Sequence, residues 1–291
     1  MRACLVDGEA GSEALRDWLA RVGDPVEGLR SPAGADRHLL PLLHHTRHAA
    51  GSIPDAIRSI LRAAVAHEEL RAEAMGAAAA EALHRLSAAG VDPLVVGGAV
   101  LAWGDYPAPA LRHCHNIDLL VTVGELAPAR TALAGFEVVG DGSSLRVTHP
   151  SGTRIALHTE LHRAGRRAPA RLETRELELS GSRVRALGPS DLVVQLCSNA
   201  AAAIDPGLRW LADGAFVCAG GRIDWDRARK HATVARRTAP LSTLLGWLAQ
   251  NTPIDLAGAP RAALARSRRS EIAREVVTRS PRAVRNRLRR A

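Results

Sequence analysis

The chain has 291 residues, 46% of them hydrophobic, enough for one large domain or two modest ones. No run of 18 apolar residues is free of charge, which argues against a transmembrane helix, and Asp7 and Glu9 argue against a secretory leader. The formal charge of +9 is concentrated at one end. Residues 261–291 hold 11 arginines against Glu271 and Glu275, so residues 1–260 are neutral overall.

Residues 12–90 read as a helical lead-in. Ile57, Ile60, Leu61, Val65, Leu83 and Leu86 recur at helical spacing. Pro54 and Asp55 suit the start of that helix and Gly90 its end. An earlier, shorter helix is expected in HLLPLLHHTRHAAGSIP, broken by Pro41 and Gly51. Within it, His44 and His48 at i, i+4 read as a solvated helix face.

At Val91 the pattern changes. A buried strand over 94–96 leads through Gly97 and Gly98 into a short helix, and HNIDLLVTV reads as a second strand. APARTALAGFEVV reads as a helix running into a strand. SLRVTHPSG and TRIALHTEL read as a hairpin turning at 150–152, and ETRELELSGSRVRALGP as a further strand–turn–strand. After Pro189 the chain returns to helices, opened by Ser190 as N-cap with Asp191 in the first turn. The expected organisation is a helical region over 1–90, an α/β core over 91–188, a helical domain over 189–260 and a basic tail over 261–291. The fold class is α+β, a mixed sheet with flanking helices. The four cysteines are scattered without a CxxC pair, so a reduced, cytoplasmic protein is expected, with Cys114 and Cys197 as small buried residues.

The chemistry-bearing stretch is VVGGAVLAWGDYPAPALRHCHNIDLLV. Asn116 and Asp118 alternate with Ile117, so both project from one face of an otherwise apolar strand. Magnesium takes oxygen ligands, usually one or two carboxylates with phosphate oxygens and water. Two such ions activate a hydroxyl and stabilise leaving pyrophosphate. Gly97 and Gly98 would let backbone N–H groups approach phosphates. Arg112 suits either a phosphate or an acidic partner.

These residues resemble the bacterial uncharacterised nucleotidyltransferase group of the polymerase-beta superfamily. The shared features are AGV at 89–91, Gly98, Tyr106 and Pro107, Arg112, and NIDLLV at 116–121. Gly135 and Phe136, HPSG at 149–152 and ALH at 156–158 follow. GPSDLVVQLC at 188–197, then Arg209, Trp210, Leu211 and Asp213, and IDWD at 223–226 complete a similarity over roughly 35–250. The resemblance implies transfer of a nucleotidyl group from a nucleoside triphosphate to an acceptor, with Mg2+ or Mn2+ held by three carboxylates. It places nucleotide contacts at Gly97, Gly98 and Arg112, and the catalytic and metal-binding strand at Asn116 and Asp118.

The chain departs from the pattern at the ligands. Asn116 stands at the first carboxylate position and Ala156 at the third, leaving Asp118. Asn199 stands where relatives carry His. On IALHTEL, Ala156, His158 and Glu160 share a face; His158 is about 6.6 Å along the strand and Glu160 about twice that. His158 therefore joins Asp118 as a candidate ligand for a softer metal such as zinc or manganese. Asp105 is a loop carboxylate near the same stretch. Arg209, Trp210 and Asp213 are expected to bury the indole and pair charges. Two functions follow. One is a pseudoenzyme, a nucleotide- or partner-binding module in bacterial biosynthesis. The other is an active transferase using a rearranged site on a small-molecule or peptide acceptor. The partners are correspondingly a nucleoside triphosphate with its acceptor, or a partner biosynthetic protein. The basic tail suits an acidic partner or nucleic acid.

Overall fold

Alanine- and leucine-rich segments with apolar residues every three or four positions make the first third of the chain helical. The computed structural model describes residues 1–22, 24–30, 35–47, 53–162, 168–203, 207–261 and 264. Gly51, His48 and almost all of the basic tail lie outside these residues. The lead-in holds α1 (Arg2–Leu5), α2 (Gly8–Arg21), α3 (Pro25–Arg30), a 3-10 turn (Ala35–Leu39), α4 (Leu40–Arg47) and the 34-residue α5 (Asp55–Ala88). Pro41 does not break the chain as its sequence suggested. It occupies the first turn of α4, where no intrahelical N–H donor is required. At the other end of α5 the Gly90 N–H donates to Ser87 O and the Val91 N–H to Leu86 O, both at 3.0 Å. Gly90 takes φ +73°, so the helix stops in a glycine cap of the Schellman type.

Beyond α5 the apolar run enters β1 (Leu94–Val96), and Gly97 and Gly98 turn it into α6 (Gly98–Gly104). Then come β2 (Ile117–Leu120), α7 (Leu126–Ala132), β3 (Glu137–Gly140), β4 (Ser144–Thr148), β5 (Arg154–His158), β6 (Thr174–Leu179) and β7 (Ser182–Leu187). They form one mixed sheet in the order β3-β4-β5-β2-β1-β7-β6. β2 is central: it runs antiparallel to β1 and parallel to β5. Ile117, Leu119, Ile155, Leu157, Leu145 and Val147 are buried on one face. α6 packs on β1 and β2, and α7 on β4. Asp118, Ala156 and His158 occupy the other, half-buried face. The architecture is α+β.

Among the described residues the sheet is followed by α8 (Pro189–Ala202), α9 (Arg209–Ala219), α10 (Trp225–Val234) and α11 (Thr238–Asn251). Ser190 is not the N-cap. The helix starts at Pro189 with Gly188 before it, the position where a missing N–H costs nothing. The Ser190 N–H instead donates to Glu173 Oε2 at 2.7 Å, and its hydroxyl accepts the Asp224 N–H at 2.9 Å. Among the described residues, no helix is long and apolar enough to cross a membrane.

Asp191, in the first turn of α8, is fully buried. It accepts from His231 Nδ1 at 2.8 Å, Arg227 Nη2 at 2.7 Å and the Glu173 N–H at 2.6 Å. His231 Nε2 lies 2.7 Å from His162 Nε2, tying the end of the sheet to α8 and α10. Burial pushes the Asp191 carboxyl upward, but the donors from His231, Arg227 and Glu173 outweigh it and hold it below the ordinary value of 3.8. A carboxyl depressed on folding stabilises above its unfolded value and loses that stabilisation as pH falls through the folded one. The chain should therefore lose stability below about pH 4, and Asp191→Asn should flatten that loss. Urea midpoints measured from pH 6 to 3 check both.

Candidate active-site cleft

β1 ends where Gly97 turns the chain with φ +67°. Its missing Cβ would lie 3.2 Å from Asp118 Oδ2, so the turn presses the backbone against the Asp118 carboxylate. The Gly97 N–H, which a phosphate-facing loop would offer to ligand, donates to Gln195 Oε1 of α8 at 2.9 Å. Gly98 is small for a different reason. A Cβ there would overlap the Arg112 guanidinium that covers it.

Arg112 is the sharpest departure from a phosphate role. Its Nε and Nη2 donate to Asp213 Oδ1 and Oδ2 at 3.1 and 3.0 Å, a bidentate pair with both side chains at most 10% exposed. The Tyr106 hydroxyl adds a 2.9 Å hydrogen bond to Asp213 Oδ1. Burial alone would lower the Arg112 pKa, yet Asp213 raises it well above the ordinary value. Burial and the Asp213 carboxylate together raise Tyr106 as well. The guanidinium is thus committed to a buried acid, the alternative the sequence left open. Trp210, on α9, is half-buried against the core. Asp105 does not reach the cleft, because Arg175 Nη1 donates to its Oδ1 at 3.0 Å.

Asn116 and Asp118 do converge. Asn116 Nδ2 donates to Asp118 Oδ1 at 2.5 Å, and His158 Nε2 lies 3.1 Å from the same oxygen. The parallel register sets Ala156 directly beside Asp118, and the antiparallel register on its other side sets the exposed Arg146 beside Ala156. Asp118, His158, Glu160, Gln195 and Asn199 line one cavity of about 270 Å3. Glu160, which spacing along the strand made remote, therefore shares the cavity with Asp118.

Three groups escaped the sequence reading. Arg47 is buried and donates to the carbonyls of Ala3, Val6 and Gly8, fastening α4 to the first two helices. The Asp191–His231–His162 chain was seen only at Asp191. His38, His113 and His115 gather around one another, and His113 reaches Glu68 on α5. The only local signal for that cluster is the pair of histidines at i, i+2 in RHCHN. The cysteines Cys4, Cys114, Cys197 and Cys218 are all buried.

A crystal structure of an antigenic nucleotidyltransferase-like protein from Paracoccidioides brasiliensis is similar at 16% identity, over 73% of this chain and 91% of that one, with a TM-score of 0.33. No curated protein matches at a significant level. The family model for uncharacterised nucleotidyltransferases matches residues 33–252, a span that holds the whole sheet, the Gly97 turn, Asp118 and the Arg112–Asp213 pair, and the chain belongs to that family.

Proposed function

We propose that the chain is a pseudoenzyme of this family, a nucleotide- or partner-binding module in bacterial biosynthesis that retains the fold without nucleotidyl transfer. One observation carries the reading: the groups expected to grip a metal-bound nucleotide are engaged by the protein itself. Asp118 is met by Asn116 and His158, the Gly97 N–H by Gln195, and Arg112 by Asp213. The three expected ligand positions do not fit two magnesium ions, since they offer one carboxylate, one neutral amide and the methyl group of Ala156. Arg146 adds positive charge on the face where cations would sit. The cavity of about 270 Å3 also falls just below the ~300–1,000 Å3 usual for small-molecule sites.

Thermal unfolding with each nucleoside triphosphate, with and without Mg2+ or Mn2+, tests this. A ligand at 100 times its Kd stabilises by about 2.7 kcal/mol, several degrees of Tm. The expected result is no metal-dependent rise. A metal-dependent rise accompanied by pyrophosphate release would overturn the proposal.

A second reading keeps catalysis through a rearranged site with a small-molecule or peptide acceptor. It is favoured by His158 Nε2 at 3.1 Å from Asp118 Oδ1 with Glu160 in the same cavity. It requires manganese- or zinc-dependent turnover that His158→Ala abolishes. Against it, Asp118, His158 and Glu160 are not among the described groups of three ligand side chains whose donor atoms converge.

A further inference from the structure

Outside the cleft, the loop entering β2 meets the lead-in helices at a cluster of imidazoles. His113 Nδ1 lies 2.8 Å from Glu68 Oε1, a contact that occupies Nδ1 and leaves Nε2 as the ring nitrogen that would face a metal. That Nε2 is 3.2 Å from His115 Nδ1. A zinc ion bound tetrahedrally at about 2.0–2.1 Å separates two nitrogen ligands by roughly 3.3 Å, so this pair already spans one edge of the coordination shell. His38, on the 3-10 turn, stacks on His113 with centroids 3.9 Å apart. One nitrogen from each of the three rings lies within 4.8 Å of the others.

We propose that His38, His113 and His115 form a zinc site with Glu68 as the carboxylate that orients His113. Histidine ligands of zinc characteristically donate their second ring N–H to a carboxylate, which fixes the tautomer and raises basicity. Glu68 and His113 are already so arranged. Closure requires His38 to leave its stack and bring its nitrogen in by up to roughly 1.5 Å to meet the tetrahedral edge, a movement within the reach of side-chain torsions. Arg71 and Arg209 supply positive charge nearby. The Arg209 Nη1 donor is buried with no hydrogen-bond partner among the described residues. An anion as fourth ligand answers both features. The metal would tie the lead-in to the loop that carries Asn116, and it requires none of the residues lining the cleft cavity.

The test uses the full chain, without an affinity tag, stripped of metal and titrated with Co2+. Visible absorption of four-coordinate cobalt is expected to saturate at one ion per chain and to be displaced by Zn2+. His115→Ala, at an exposed position, and His38→Ala should each abolish the bands while leaving the metal-free Tm within a few degrees of the parent. Glu68→Gln should retain them with affinity about 10- to 100-fold weaker. Asp118→Ala should leave them intact. No cobalt bands in the parent chain, bands that survive both histidine variants, or bands lost with Asp118→Ala would each overturn the assignment.

Discussion

Asp213→Ala is expected to lower stability by about 3–5 kcal/mol, because it strands the Arg112 guanidinium in the interior without its counter-charge. Domains of this kind are stable by only about 5–15 kcal/mol in total, so the variant should be largely unfolded or poorly soluble near body temperature. The damage extends beyond one pair. Asp213 also accepts from the Tyr106 hydroxyl, and Arg112 lies over Gly98, where no side chain fits. Arg112→Lys should recover little, since an ammonium cannot reproduce the bidentate fork. Replacing both partners with apolar residues of similar volume should cost far less than either single change. Urea denaturation of the single and double variants measures the difference. A loss below about 1 kcal/mol for Asp213→Ala would match an exposed ion pair and contradict the burial described.

Asn116→Asp combined with Ala156→Glu is expected to make stability depend on divalent metal. The first change turns a donor to Asp118 into a second carboxylate, and like charges in contact repel unless a cation lies between them. The second adds a carboxylate from the neighbouring strand, whose backbone runs about 4.8 Å away. In chelator the double variant should unfold several degrees below the parent. Mg2+ or Mn2+ should restore it, and a nucleoside triphosphate should then add a further rise. The single Asn116→Asp variant should show the loss with weaker rescue. If the double variant ignores metal, the three positions do not converge on one ion.

The sheet was readable because its strands are short, alternating and punctuated by glycine and proline. The order of strands and helices from 94 to 202 follows from those cues alone. So does the hairpin at 149–152, where Gly152 adopts φ +83°. The loss of ligands at 116 and 156 was legible through family resemblance, and the register makes it geometric by setting Ala156 beside Asp118. What escaped is pairing between distant segments. Arg112 meets Asp213 across 101 residues and His113 meets Glu68 across 45. Local periodicity reports which face of an element is apolar; it carries no address for the partner of a buried charge. The same limit hid Gln195, 98 residues from the Gly97 N–H it occupies. Ser190 and Pro41 failed for another reason. Each was judged by residue preference one or two positions from where the helix begins, and that offset reverses the meaning of a proline or a serine.

The 34-residue α5 spans about 50 Å. It packs against α3 and α4 in the lead-in, and against α7, β6 and the turn at Pro109–Leu111 in the core. A strut shared in this way has no independent half. Opening the lead-in would expose the same helix that packs on α7 and on β6 at the edge of the sheet, so partial unfolding has no natural stopping point. Amide protons in α5 and in β1 should then exchange with solvent through one common event. The glycine at 90, for all its punctuation, ends a helix without providing a hinge.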